Sequence, residues 1–141
     1  MARNTTPLFP GKQRITWSAA AITAAVTAKD GTGAVTTVFT ADATEGSRVD
    51  YLKVRALGTN VATVLRVFIN NGAANTTASN NALFMERTIP ATTLSETAEL
   101  ADNYIPLDVS IDPGFKINVT IGTAVAAGLM VSAVAGDYLT A

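Results

Sequence analysis

The chain has 141 residues, no cysteine, no histidine and a formal net charge of −1. That length can bury a single core without disulfide or metal staples, and near-neutral charge gives no global attraction to nucleic acid or to an anionic membrane. The missing imidazole and thiol groups exclude serine–histidine and cysteine–histidine hydrolases and remove most zinc sites.

Hydrophobic residues make up 48% of the chain but aromatics only 6%, so Ala, Val, Ile and Leu carry the apolar content. Thr is abundant, and the stiff β-branched side chains suit a pleated strand better than a helix. The first dozen residues include Pro7 and Pro10 and end Phe9-Pro10-Gly11-Lys12, which resists both helix and central strand. An extended N-terminal arm is predicted over residues 1–14, with one domain over 15–141. The charges up to Lys29 are Arg3, Lys12, Arg14 and Lys29, whereas Glu96, Glu99, Asp102, Asp108 and Asp112 fall together with no base among them. Two solvated faces, or an arm that docks on an acidic neighbour, are the readings of that bias.

Ile15-Thr16-Trp17 opens an alternating segment, and the Ala-rich run from Ser18 to Lys29 reads as strand in preference to helix. Asp30-Gly31-Thr32-Gly33 is a hairpin signal leading to a strand over Ala34 to Ala41. Arg48 to Leu57 alternates with Val49 and Tyr51 on one parity and Leu52, Val54 and Ala56 on the other, a pattern that admits one register slip within the strand. Val61 to Asn70 is apolar enough for burial on both faces, and Asn70-Asn71-Gly72 ends it in a turn. Ala82 to Ile89 returns as a strand that Pro90 stops. Ala91 to Asn103 fits a short helical piece, a strand or an edge loop. Tyr104 to Ile111 alternates, Asp112-Pro113-Gly114 turns, and Phe115 to Ile121 has apolar odd and polar even positions, the pattern of a half-buried strand. Val125 to Ala135 is the last. Its surroundings, Ala124 to Ala135, form the longest apolar stretch, broken by Gly128 and Ser132 and too short to span a bilayer.

Eight or nine short strands with regular turn signals predict an all-β fold: a two-sheet β-sandwich, with the jelly roll as one form of it, carrying an extended N-terminal arm. No fixed-period repeat supports a solenoid or propeller.

Little in the sequence carries chemistry. Glu86, Glu96, Glu99, Asp102, Asp108 and Asp112 could pair as acid and base in a glycosidase, but few aromatics are available for a sugar groove. Asp30, Asp102, Asn103, Asp108 and Asp112 are oxygen donors without calcium-loop spacing, and turn-shaping hydrogen bonds are their expected role. Gly11-Lys12 and Gly31-Thr32-Gly33 lack the further glycines of phosphate-binding loops. Lys53, Arg55 and Arg66 beside Tyr51 are too few to mark a nucleic-acid surface. Neither catalytic residues, metal ligands nor cofactors are expected.

Tyr104-Ile105-Pro106-Leu107, Asp112-Pro113-Gly114-Phe115-Lys116-Ile117, Gly122-Thr123-Ala124-Val125-Ala126-Ala127-Gly128 and Val134-Ala135-Gly136-Asp137-Tyr138 together resemble a recurrent type of small tailed-bacteriophage virion protein. The resemblance covers about the last forty residues. Such proteins include head decoration, or cement, proteins: sandwich or jelly-roll subunits, often trimeric, that sit over capsid junctions and reinforce the shell. It implies a non-enzymatic structural role, with the major capsid protein and further copies of the chain in a homotrimer as partners, and neither nucleic acid nor membrane. The start of the chain has no hydrophobic segment of a signal peptide, so synthesis in the host cytoplasm followed by residence in the virion is expected. Arg3, Leu8, Phe9, Lys12 and Arg14 are the candidate capsid-docking residues of the arm. The alternatives are a tail or fibre module binding a receptor or carbohydrate through Trp17, Tyr51, Tyr104 or Tyr138, and a ring-forming connector or tail component.

Overall fold

The computed structural model describes residues 10–139. Eight strands follow one another: β1 (Pro10–Trp17), β2 (Thr36–Thr40), β3 (Ser47–Ala56), β4 (Thr63–Asn70), β5 (Asn81–Ile89), β6 (Asn103–Ile111), β7 (Lys116–Ile121) and β8 (Leu129–Tyr138). They form two four-stranded sheets in the orders β1-β8-β3-β6 and β2-β7-β4-β5, and every pairing is antiparallel. First pairs with last, β2 with β7, β3 with β6 and β4 with β5. The chain is therefore one long folded-back hairpin rolled up so that successive pairs alternate between sheets, the connectivity of a jelly roll.

The sheets face each other across a layer that includes Val49, Leu52, Val54, Ile105, Val131, Ala133 and Ala135 from one and Phe39, Leu65, Val67, Ile117, Val119 and Ile121 from the other. In β8, Ala133 and Ala135 pair with Leu52 and Val49, so small side chains sit beside larger ones. The slip that the pattern of β3 admits is a bulge between Val49 and Tyr51. It moves the buried parity from Ser47 and Val49 to Leu52, Val54 and Ala56 and leaves Tyr51 on the outer face.

Three sequence expectations change. The strand begins at Pro10, so residues 10–14, including Lys12 and Arg14, belong to the sandwich and not to an arm ending at Arg14. The backbone of Pro10 pairs with Tyr138, since an edge strand tolerates proline where a central one does not.

Ser18 to Lys29 is not a strand. It is the first part of a strap from β1 to β2, tied to strands by the Ser18 N–H donating to the Val131 carbonyl at 2.9 Å and by isolated bridges, Ile22 to Leu129 and Ala25 to Ile121. The Asp30–Gly33 turn that follows closes no hairpin. The strap crosses the outer face of the second sheet, where Arg66 Nη1 donates to the Val26 carbonyl at 3.2 Å and Asn81 Nδ2 to the Asp30 carbonyl at 3.1 Å. Gly31 is required at this crossing, because its φ is +77° and a Cβ would come within 2.5 Å of the Asn81 Cβ.

The strap changes β7 as well. The even positions Asn118 and Thr120 are buried like the odd ones, so the strand is covered on both faces. Asn118 is satisfied by the Thr37 hydroxyl at 2.7 Å. Of the three readings open for Ala91 to Asn103, the loop is the one found: residues 91–102 form neither helix nor strand and are anchored by the Asn60–Thr92 bridge.

A candidate adhesive face

In β1, hydrophobicity assigns Ile15 and Trp17 to the core and Arg14 and Thr16 to solvent. The structure reverses this: Ile15 is 64% and Trp17 62% exposed, while Arg14 and Thr16 turn toward the neighbouring sheet. Hydrogen bonds fix the inverted register. Arg14 Nη2 donates to the Thr40 carbonyl at 2.8 Å and to Asp137 Oδ1 at 2.7 Å, and the Thr16 hydroxyl donates to the Val38 carbonyl at 2.6 Å. The guanidinium carbon of Arg14 also lies 4.6 Å from the Phe39 ring centre, in cation–π contact. Polar side chains thus stitch β1 to β2 across the open side of the sandwich, and the apolar pair is turned out.

Around that pair, the outer face of the first sheet is ordered in rows. Ile15, Val134, Tyr51 and Pro106 are successive cross-strand neighbours from β1 to β6. Trp17, Ser132, Lys53 and Tyr104 form the adjacent row, each row about 14 Å wide at ordinary strand spacing. Tyr51 and Tyr104 meet diagonally, with ring centres 4.7 Å apart and planes tilted by 47°. Tyr138 shares the face and hydrogen-bonds Ser110.

The charges of this face are matched within it. Arg48 binds Asp50 at 3.0 Å and Asp108 at 3.4 Å, Lys53 binds Asp102 at 3.3 Å, and Arg55 binds the same carboxylate. Arg55 first, then Lys53, holds the Asp102 carboxyl below its ordinary value. What this face offers a partner is therefore apolar and aromatic surface with internally neutralised charge, which costs little to desolvate compared with unpaired ions.

The sequence-derived candidates separate on this framework. Lys12 is exposed on β1, Arg14 serves the sandwich as described, and Arg3, Leu8 and Phe9 lie outside the described residues. The aromatics proposed as a stacking platform do share one face, but Trp17 and Tyr104 stand at opposite edges of their row and the adjoining tyrosines are tilted. Of the cations considered together, Lys53 and Arg55 sit beside Tyr51, whereas Arg66 lies on the other sheet, 2.8 Å from Glu86 and beneath the strap. The carboxylates are dispersed: Glu86 with Arg66, Asp102 with Lys53 and Arg55, Asp108 with Arg48. Among the described residues, no group of three acidic side chains is placed to hold a metal ion.

Sequence reading missed Ile15, Val134 and Pro106 as surface. The available signal was Arg14 and Thr16 on the opposite parity of an edge strand, which becomes readable only once Asp137 and β2 are in place. No protein-family model matches the chain, and neither a curated protein nor a solved structure matches it.

Proposed function

We propose that the chain is a non-catalytic structural protein of a tailed-phage virion, a decoration or cement subunit that binds the major capsid protein through the outer face of its first sheet and stabilises the shell. The observation that carries this reading is the inside-out register of β1. A strand locked by an ion pair and two further side-chain hydrogen bonds so that Ile and Trp face water forgoes burial worth about 1.5–3 kcal/mol per side chain, and departures from the local rule of this kind concentrate at functional surfaces.

Further support comes from the resemblance in the last forty or so residues. That stretch supplies β7, β8 and most of β6, and with them Tyr104, Pro106 and Val134. Apolar burial would supply the adhesion, and repeated contacts of symmetric copies over adjacent shell sites would add avidity.

The test is co-sedimentation with empty shells and the temperature at which the shells come apart. Wild-type protein is expected to pellet with the shells and raise that temperature. An Ile15→Ser, Trp17→Ser variant is expected to do neither while keeping its own melting midpoint; pelleting unchanged in that variant would overturn the reading.

A further inference from the structure

A second exposed apolar area lies at one end of the sandwich, where the β3–β4 and β5–β6 connections meet. The Asn60 and Thr92 backbones bond reciprocally at 3.1 and 2.9 Å, and the Leu94 N–H donates to the Thr59 hydroxyl at 3.0 Å. These ties bring together two loops bearing Leu57, Val61 and Leu94, exposed by 48, 58 and 52%. The same β5–β6 connection carries Glu96 and Glu99, both exposed and, among the described residues, without an ion-pair partner.

We infer that residues 1–9 of one copy dock on this end of a second copy, an inference that deepens the adhesive reading above and rests on it. The occupant is chosen by complementarity. Residues 1–9 contain Arg3, Leu8 and Phe9 and no acidic residue, so they match an apolar surface edged by glutamates in both respects.

Reach selects a second copy over the same one. Pro10 stands at the opposite end of the first sheet, beside the end of β8. The way to its own β5–β6 connection covers the eight-residue length of β1 and three strand spacings to β6, about 28 Å over the sheet. Phe9, Leu8 and Arg3 stand one, two and seven residues before Pro10, so even drawn fully straight they extend at most about 4, 7 and 25 Å from it, short of the site. A neighbouring copy has no such constraint.

The contact joins two different surfaces, so it is heterologous, and copies linked this way close into a ring when the rotation permits. The smallest closed form is a reciprocal exchange of residues 1–9 between two copies, and larger rings use the same contact. Its ordering cost falls on a short segment, and its affinity comes from Leu8 and Phe9 together with the charge match.

Mass measurement by light scattering over a concentration series tests the inference on the full chain. Arg3→Glu alone, or Glu96→Lys with Glu99→Lys, is expected to weaken association roughly fivefold, the scale of exposed charge pairs. Joining Arg3→Glu to the two Lys substitutions is expected to restore it. Leu8→Ser with Phe9→Ser is expected to give monomer. A wild-type chain that is monomeric throughout, or single and combined charge variants that associate alike, would overturn the inference. Shell binding measured on the same samples separates the two claims, because a wild-type chain that binds shells yet never associates with itself sinks only this one.

Discussion

Arg14 and Asp137 form an ion pair at 2.7 Å that joins the first strand to the last and, through Arg14, one sheet to the other. Asp137 Oδ1 also accepts the Ser47 hydroxyl at 2.6 Å, so a single buried carboxylate oxygen serves β1, β3 and β8. Asp137→Ala leaves the Ser47 hydroxyl without its acceptor and the Arg14 guanidinium with the Thr40 carbonyl but no counter-charge. It should cost about 2–3 kcal/mol in urea unfolding, and a loss under 1 kcal/mol, the scale of an exposed pair, would remove the pair from the account of β1.

Phe68 is fully buried yet faces away from the inter-sheet layer, next to Asn118 in β7 and Leu83 in β5. The strap crosses β4 at Arg66, two residues away, and so is the connection placed to cover it. Phe68→Ala should therefore cost about 3–5 kcal/mol and also make the strap cleavable by protease under native conditions. An equal stability loss with the strap still resistant would show that Phe68 does not hold it.

Three surface carboxyls sit below their ordinary value. Asp30 accepts the Thr32 hydroxyl and then its N–H, Asp42 accepts the N–H groups of Glu45 and Thr44, and Asp102 is held by Arg55 and then Lys53. A carboxyl lowered by folding contributes stability above its unfolded value and loses that contribution as pH falls through the lowered one. Melting midpoints should thus drop as pH falls below the ordinary aspartate value of 3.8. Replacing all three with Asn, which keeps an acceptor oxygen but does not titrate, should flatten that drop. The same acid slope in both proteins would contradict the assignment.

Asp108 is the one described non-glycine residue with positive φ, +48°. It sits where β6 places an extra residue against the β3 bulge. Aspartate tolerates this conformation better than most residues, and a β-branched side chain does not. Asp108→Val should be less stable than Asp108→Gly by about 1–2 kcal/mol, read from denaturant midpoints; equal midpoints would mean the backbone relaxes freely there.

Period-two patterning made most strands legible, and the parity change at Val49 and Leu52 allowed for the β3 bulge. Turn chemistry at Asn70-Asn71-Gly72 and Asp112-Pro113-Gly114 marked strand ends correctly, because those residues act locally. What stayed hidden depends on partners distant in sequence. Asn118 and Thr120 read as solvent-facing because nothing local says that residues around Val26 will cover them. The orientation of β1 is set by Asp137, more than a hundred residues downstream, and so the exposed Ile15 and Trp17 could not be placed on the adhesive face from their own neighbourhood.

Trp17 is the only tryptophan in the chain, and it stands in the face proposed to meet the shell. Iodide quenching of its emission, with the signal of shells alone subtracted, reports directly on whether that face is covered. The account expects strong quenching in free protein and protection in the shell-bound protein; bound protein whose Trp17 is quenched as readily as the free form would contradict it.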